Sequence, residues 1–407
     1  METDTKHRLL QIRDQLWGGM GNSYCPCPFP TYALNTRAIR IAHATPNRDF
    51  VSLFMKCCTW QIGWVVSVGF AVLLAVGGCG TNIPIPTTTV NEVESNNTFS
   101  QPQTVTVIAS EATDISGSLE GGNDVDVFLL GTFQQGQTLT ADLRGSSALI
   151  SSNVAMGFFD KDQDVAVLDD DPSSSSTDKQ ISLTVRKAGN YYLVVAQNRA
   201  SNFMYDVVIT IGSGNISTPP MQVVYLNYNG ASNLQIGGDQ FSNVLPFSAV
   251  IPNNTAAWAA QITTLVRADY LNLNIQIISS YESLEPSGPH SVVFVSGSGG
   301  SFFGLADDVD WYNQDLTDRA VIFTGGQLHD PSLTQDQFVT GVANVTSHEL
   351  GHLVGLVHTD DDSELMDQVT PLSQLVRPQT FHLAPLAEFP IGSEDCIQLL
   401  QFSLGLL

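Results

Sequence analysis

The sequence predicts a multidomain chain, with an all-β sandwich of jelly-roll-like type followed by an α+β domain. Three observations predict it. Short β-type runs recur at regular spacing over residues 103–212, divided by Gly, Asp, Asn and Ser clusters with no helical period among them, which is the pattern of an antiparallel sandwich. From residue 221 onward, strand-like runs alternate with helical ones, as in domains that lay helices on a sheet. The 407 residues, 43% hydrophobic and only 14% charged, are enough for two full cores.

The chain begins with a stretch, residues 1–54, that has no sustained periodicity and reads as a spurious or disordered extension. Met55-Lys56 then precedes an apolar run ending in Val76-Gly77-Gly78-Cys79, and no charged residue occurs from Cys57 to Asn91. A basic start, a greasy core and a small-residue cleavage site are the parts of a secretory signal. Residues 55–78 are therefore expected to be a signal peptide, with Met55 as the true start. The Cys directly after the small pair resembles a bacterial lipobox, which implies cleavage before Cys79 and lipid attachment to it. The competing reading is one membrane-spanning helix, for which the run is short. Either way the remainder is expected outside the cytoplasm, lipid-anchored to a bacterial cell envelope at the outer membrane or cell surface, or secreted.

Formal net charge is −24, and counting from Cys79 it is −27 with only 9 Lys and Arg. That argues against nucleic-acid binding through phosphate contacts. Of six cysteines only Cys79 and Cys396 lie beyond the signal, so lipidation of Cys79 would leave no disulfide in the mature chain.

Residues 79–102, rich in Thr, Asn, Pro and Ser, read as a tether. The strand candidates that follow are Thr104–Ile108, Val125–Leu130, Thr138–Asp142, Val165–Leu168, Ile181–Val185, Tyr191–Ala196 and Met204–Ile211. Glu94-Ser95-Asn96-Asn97, Asp124-Val125-Asp126-Val127-Phe128, Gly136-Gln137-Thr138-Leu139 and Ala188-Gly189-Asn190-Tyr191 fall here in that order. On these segments the stretch resembles the bacterial pre-peptidase C-terminal domain, although such domains usually follow their peptidase. Asp124, Asp126, Asp169, Asp170 and Asp171 could coordinate Ca²⁺; solvated turn carboxylates are the alternative.

Residues 213–221 form a linker, and the second domain is expected over 221–407. Its strands are Val223–Tyr228, Leu273–Ile278, Ser291–Val295 and Ala320–Phe323, and its first helix is Thr255–Leu271 with Asn254 as N-cap. A long second helix follows a capping box at Ser332-Leu333-Thr334-Gln335, with Phe338, Val342, Val345 and Leu353 along one apolar stripe.

That helix carries His348 and His352, four residues apart, so their imidazoles leave one face about 6 Å apart and can share one Zn²⁺. Glu349 is offset from that pair and stands beside the position where water would sit. A metal-bound water has a pKa near about 7, and Glu349 would take its proton during attack on a peptide carbonyl. His358 lies six residues past His352, about 600° of helix rotation, and points away unless the chain turns back. Gly355 supplies that turn, because Gly readily ends a helix in the left-handed region. Three of the chain's eight histidines fall within these 11 residues.

His348-Glu349-x-x-His352-x-x-Gly355-x-x-His358, followed by Ser363-Glu364-Leu365-Met366-Asp367, resembles the metzincin clan of zinc endopeptidases. The resemblance implies zinc held by His348, His352 and His358, Glu349 as base, and Met366 as the Met-turn beneath the metal. The short spacing to Met366 and Thr359 after the third His look most like the matrixin branch, although Pro371 stands further from the Met than in matrixins. The strand before the helix in that clan aligns substrate, which puts Val321–Thr324 in that role. Asp307, Asp308 and Asp310 could hold structural Ca²⁺ or be turn carboxylates. The expected activity is zinc-dependent cleavage of a protein or peptide substrate. The alternative is a non-catalytic surface-adhesion lipoprotein with a metal-bound, peptidase-like domain.

Overall fold

A computed structural model describes residues 87–122, 124–145, 154–169, 178–197 and 202–407. The signal, Cys79, Asp170 and Asp171 lie outside them. Among the described residues no helix is long and apolar enough to cross a membrane.

The first ten strands are β1 (Thr87–Asn91), β2 (Gln103–Thr104), β3 (Ala112–Leu119), β4 (Val125–Phe133), β5 (Gln137–Gly145), β6 (Val154–Phe159), β7 (Val165–Asp169), β8 (Asp178–Thr184), β9 (Gly189–Gln197) and β10 (Phe203–Ser213). They form two five-stranded sheets, ordered β1-β3-β10-β5-β8 and β2-β4-β9-β6-β7. Alternation builds the core between them. Leu139, Ala141 and Leu143 of β5 and Val207 and Ile209 of β10 are buried, while Met204 on the outer face of β10 is exposed.

Several details differ from the sequence reading, among them β6, which none of the expected strands covers. β1 lies inside the expected tether and pairs in parallel with β3. Of the expected strand Thr104–Ile108 only Thr104 is strand, as the second residue of β2. β3 escaped notice because Thr, Asp, Gly and Ser dilute its pattern, although Ile115 and Leu119 are fully buried.

The second domain contains β11 (Gln222–Asn227), β12 (Ala231–Ile236), β13 (Asp239–Val244), α1 (Thr255–Asp269), β14 (Ile275–Ser279), β15 (Ser291–Ser296), β16 (Gly304–Ala306), β17 (Arg319–Phe323), α2 (Gln335–His352), β18 (Leu383–Pro385), β19 (Ser393–Asp395) and α3 (Cys396–Leu404). Its sheet runs β14-β11-β15-β17-β16. The first four strands are parallel and β16 is antiparallel to β17. Successive residues face opposite layers. Val224, Leu226, Val293, Val295, Ala320 and Ile322 pack with the helices, whereas Tyr225, Val292, Phe294, Val321 and Phe323 pack with the β12–β13 hairpin.

Helices α1 and α2 are joined where the Tyr270 hydroxyl donates to the Ser347 carbonyl at 2.7 Å and the Ser347 hydroxyl donates to Asp269 at 2.6 Å. The capping box at the start of α2 is Thr334 with Gln337, two residues later than read from sequence; such caps contribute about 1 kcal/mol. Asn254 adopts φ 60° and makes no side-chain cap at α1.

The segment 213–221 does not separate two independent bodies. Phe159, Val165 and Leu168 of the sandwich belong to the same apolar cluster as Phe389, Leu399 and Leu404. Their ring and backbone contacts include Phe159 against Phe389, with centroids 5.4 Å apart, and the Ser393 N–H donating to the Gln163 carbonyl at 3.2 Å.

Candidate metal centre

Helix α2 ends at His352, and Gly355 follows at φ +99°. A side chain at Gly355 would be strained there and would also strike the Asp310 carbonyl at 2.8 Å and the Tyr312 nitrogen at 2.9 Å. The turn brings His358 back beneath the helix. Nε2 of His352 lies 3.2 Å from Nε2 of His348 and 3.2 Å from Nε2 of His358. Two nitrogens sharing a tetrahedral zinc at about 2.0–2.1 Å are about 3.3–3.4 Å apart, so the spacing matches the ion.

The outer nitrogens fix the tautomers. His348 Nδ1 is 2.7 Å from the Leu365 carbonyl and His352 Nδ1 is 2.8 Å from the Leu356 carbonyl. A carbonyl only accepts, so each Nδ1 carries the proton and each Nε2 presents its lone pair inward. Burial, with His358 close by, holds His348 down at about 3 and His352 well below the usual imidazole range. Both are thus neutral, as ligands must be. Nδ1 of His358 faces Glu388 Oε2 at 3.5 Å, and this histidine holds the Glu388 carboxyl below its ordinary value.

Met366 is fully buried, and a Cβ on Gly351 would come within 2.5 Å of its sulfur. It therefore sits against α2 in the turn between the two helix histidines. Glu349 is 7% exposed, and burial raises its carboxyl to about 8. Its neighbour is Gly304, where a Cβ would stand 2.4 Å from Glu349 Oε1. Gly304 belongs to β16, the edge of the sheet. β17 is paired on both sides, with β15 and β16, so Val321–Thr324 has no open edge. β16 is the strand beside Glu349.

The site thus brings together His348, Glu349, His352, Gly355, His358 and Met366, all singled out from sequence. Sequence reasoning missed Glu388, Gly304 and Gly351. The first is 30 residues beyond His358 and the second 45 residues before Glu349, so no local pattern announces either. Gly351 lay inside the motif itself, but only the packing shows what it faces.

The proposed calcium carboxylates assemble differently. Asp126 gathers with Glu92 and Glu94, ligand oxygens within 4.8 Å of one another. Asp126 Oδ1, Glu92 Oε1 and both side-chain atoms of Asn96 are buried without a hydrogen-bond partner. Asp169 instead pairs with Lys179 at 2.9 Å. Asp307 accepts from the backbone of Gly237 and Arg319, tying the β12–β13 turn to β17, and Asp310 accepts from that of Asp315 within its own loop.

No known family profile matches this sequence, and no curated protein matches it. Solved structures give distant likenesses. The pre-peptidase C-terminal domain of collagenase from Bacillus anthracis is 16% identical, with 27% of this chain and 94% of that one covered and a TM-score of 0.21. Archaemetzincin from Methanopyrus kandleri is 14% identical, with 45% and 94% covered and a TM-score of 0.26. A zinc-dependent peptidase from Methanocorpusculum labreanum is 10% identical, with 44% and 98% covered and a TM-score of 0.26. At such distances the chemistry rests on the geometry of the site alone.

Proposed function

We propose that the chain is a zinc-dependent endopeptidase of metzincin-like type. The observation that carries this is the triangle of three inward imidazole nitrogens, two of its sides 3.2 Å long, with a carboxylate on the adjoining helix position. His348, His352 and His358 hold Zn²⁺ through Nε2, and Met366 supports them from below. Zinc bound there supplies a Lewis acid for the scissile carbonyl and lowers the pKa of its water. The charge of a Zn²⁺ held beside it would draw the raised Glu349 carboxyl back toward ionisation, and Glu349 would then accept a proton from the attacking water and pass it to the leaving amine, one residue serving as base and then acid. β16 offers substrate an unpaired backbone edge beside Glu349, so that the peptide lies extended across the site. The matrixin branch is the finer assignment, carried by the eight-residue spacing from His358 to Met366.

Zinc analysis of the purified chain tests the reading. About one zinc per chain, with cleavage of a peptide library lost on chelation and restored by added zinc, is the expected outcome. A chain that cleaves equally well without metal would refute it.

Export and lipid attachment at Cys79 are proposed from the signal at residues 55–78 and the Cys that directly follows it. Cys79→Ser should abolish incorporation of labelled fatty acid. Ca²⁺ is proposed for the Glu92, Glu94 and Asp126 cluster, whose buried partnerless oxygens suit a hard cation. Added Ca²⁺ should raise the melting temperature of the unaltered chain and not that of Asp126→Asn.

A further inference from the structure

Below the third histidine lie three acidic or weakly acidic groups that the proposed reaction does not use. Glu364, Glu394 and Cys396 are each fully buried, and among the described residues neither carboxyl forms an ion pair. Uncompensated carboxyls are costly to bury, so what they hold matters.

Glu394 Oε2 accepts the N–H of Val357 at 2.9 Å, and its Oε1 accepts the Cys396 thiol at 3.1 Å. Glu364 Oε2 accepts the Thr359 hydroxyl at 2.9 Å and also the N–H of Met366. The thiol of Cys396 lies against Glu364 as well. The residues on either side of His358 are thus each held by one carboxyl. The oxygen that holds Thr359 also holds the Met-turn residue that packs under the helix histidines. Backbone pairing completes the frame, with the Thr359 N–H donating to the Met366 carbonyl at 2.8 Å and the Ala387 N–H to the His358 carbonyl at 3.0 Å.

We propose that Glu364 and Glu394, joined through the Cys396 thiol, are positioning residues that fix the loop-borne third ligand, His358, against the helix-borne pair His348 and His352. This inference rests on the zinc reading of the site. Neither carboxyl touches the metal position. Each acts through the backbone or side chain next to His358, so its loss frees the loop while leaving the helix ligands in place.

The test is zinc affinity of the full chain, measured by competition with a chromophoric chelator, beside thermal unfolding of the metal-free protein. Glu394→Ala leaves the Val357 N–H without an acceptor and is expected to weaken zinc binding about tenfold or more. Glu394→Gln keeps an acceptor oxygen and should restore affinity to within about threefold of the unaltered chain. In a His358→Ala background, Glu394→Ala should change zinc affinity less than about twofold, because its route to the metal has been removed. Thr359→Val, which deletes the donor to Glu364 while keeping volume, should weaken zinc several-fold even if Glu394→Ala fails to fold.

Variants that lower the melting temperature yet bind zinc as tightly as the unaltered chain would show a merely structural role and overturn the proposal. So would an equal loss from Glu394→Ala with and without His358. If the unaltered chain itself binds no zinc, the functional reading fails, and this one with it.

Discussion

The hydroxyl of Tyr312 donates to the carbonyl of Ala166 at 2.6 Å. Tyr312 belongs to the loop against which Gly355 turns, and Ala166 lies on β7 of the sandwich, so one hydrogen bond links the two domains behind the turn that carries His358. Arg186 of the sandwich stacks over the same ring at 4.5 Å. The sandwich is therefore tied to the loop that packs against Gly355 beside the candidate metal centre. Tyr312→Phe keeps the ring and removes the bond, and should cost about 1 kcal/mol of stability. A lower thermal midpoint in one cooperative transition would bear this out; an unchanged midpoint would count against it.

Gly355 should tolerate no side chain. At φ +99°, with the Asp310 carbonyl and Tyr312 nitrogen within 3 Å of a would-be Cβ, Gly355→Ala is expected to cost about 1–3 kcal/mol in strain alone. It should also displace His358, so zinc affinity should fall together with stability. Wild-type affinity in this variant would mean that the turn does not set the ligand.

Gly304→Ala separates catalysis from metal binding. The added methyl would stand 2.4 Å from Glu349 Oε1 and touch none of the histidines among its nearest neighbours. Zinc content should be unchanged, while kcat falls by about tenfold to a hundredfold through misplacement of the carboxylate. Steady-state kinetics beside metal analysis would show the split, and a parallel loss of zinc would contradict it.

The local part of the site was legible because its chemistry is compressed into 11 residues on one helix and one turn, where 3.6-residue periodicity fixes which groups share a face. The four parallel strands of the second domain were legible for a similar reason: continuous apolar runs such as Ser291–Val295 are buried on both faces. What could not be read is set by tertiary pairing. That β17 is covered and β16 is the edge depends on where a three-residue strand, Gly304–Ala306, folds back. Glu364 and Glu394 look like ordinary surface acids in sequence, and only the packing of α3 and the β18–β19 hairpin buries them. The eight-residue strand β3 was hidden by its Thr, Asp, Gly and Ser content.

Alkaline pH should loosen this region. Burial raises the Glu394 carboxyl to about 8 from its ordinary range near 4.5, with Glu364 and Asp395 adding to the effect. A group raised in the folded state contributes stability that is fully present below about pH 4.5 and is lost as pH rises through about 8. Unfolding free energy should therefore decline over that window in the unaltered chain and decline less in Glu394→Gln. Parallel pH profiles for the two proteins would contradict the assignment.

The central claim is that Glu349 performs the proton transfer at a zinc site built by His348, His352 and His358. Glu349→Gln tests it most directly, through zinc content and peptide cleavage measured on one preparation. The variant should hold about one zinc per chain and lose cleavage by about a hundredfold to ten-thousandfold. Cleavage at the rate of the unaltered chain with zinc retained would contradict the account.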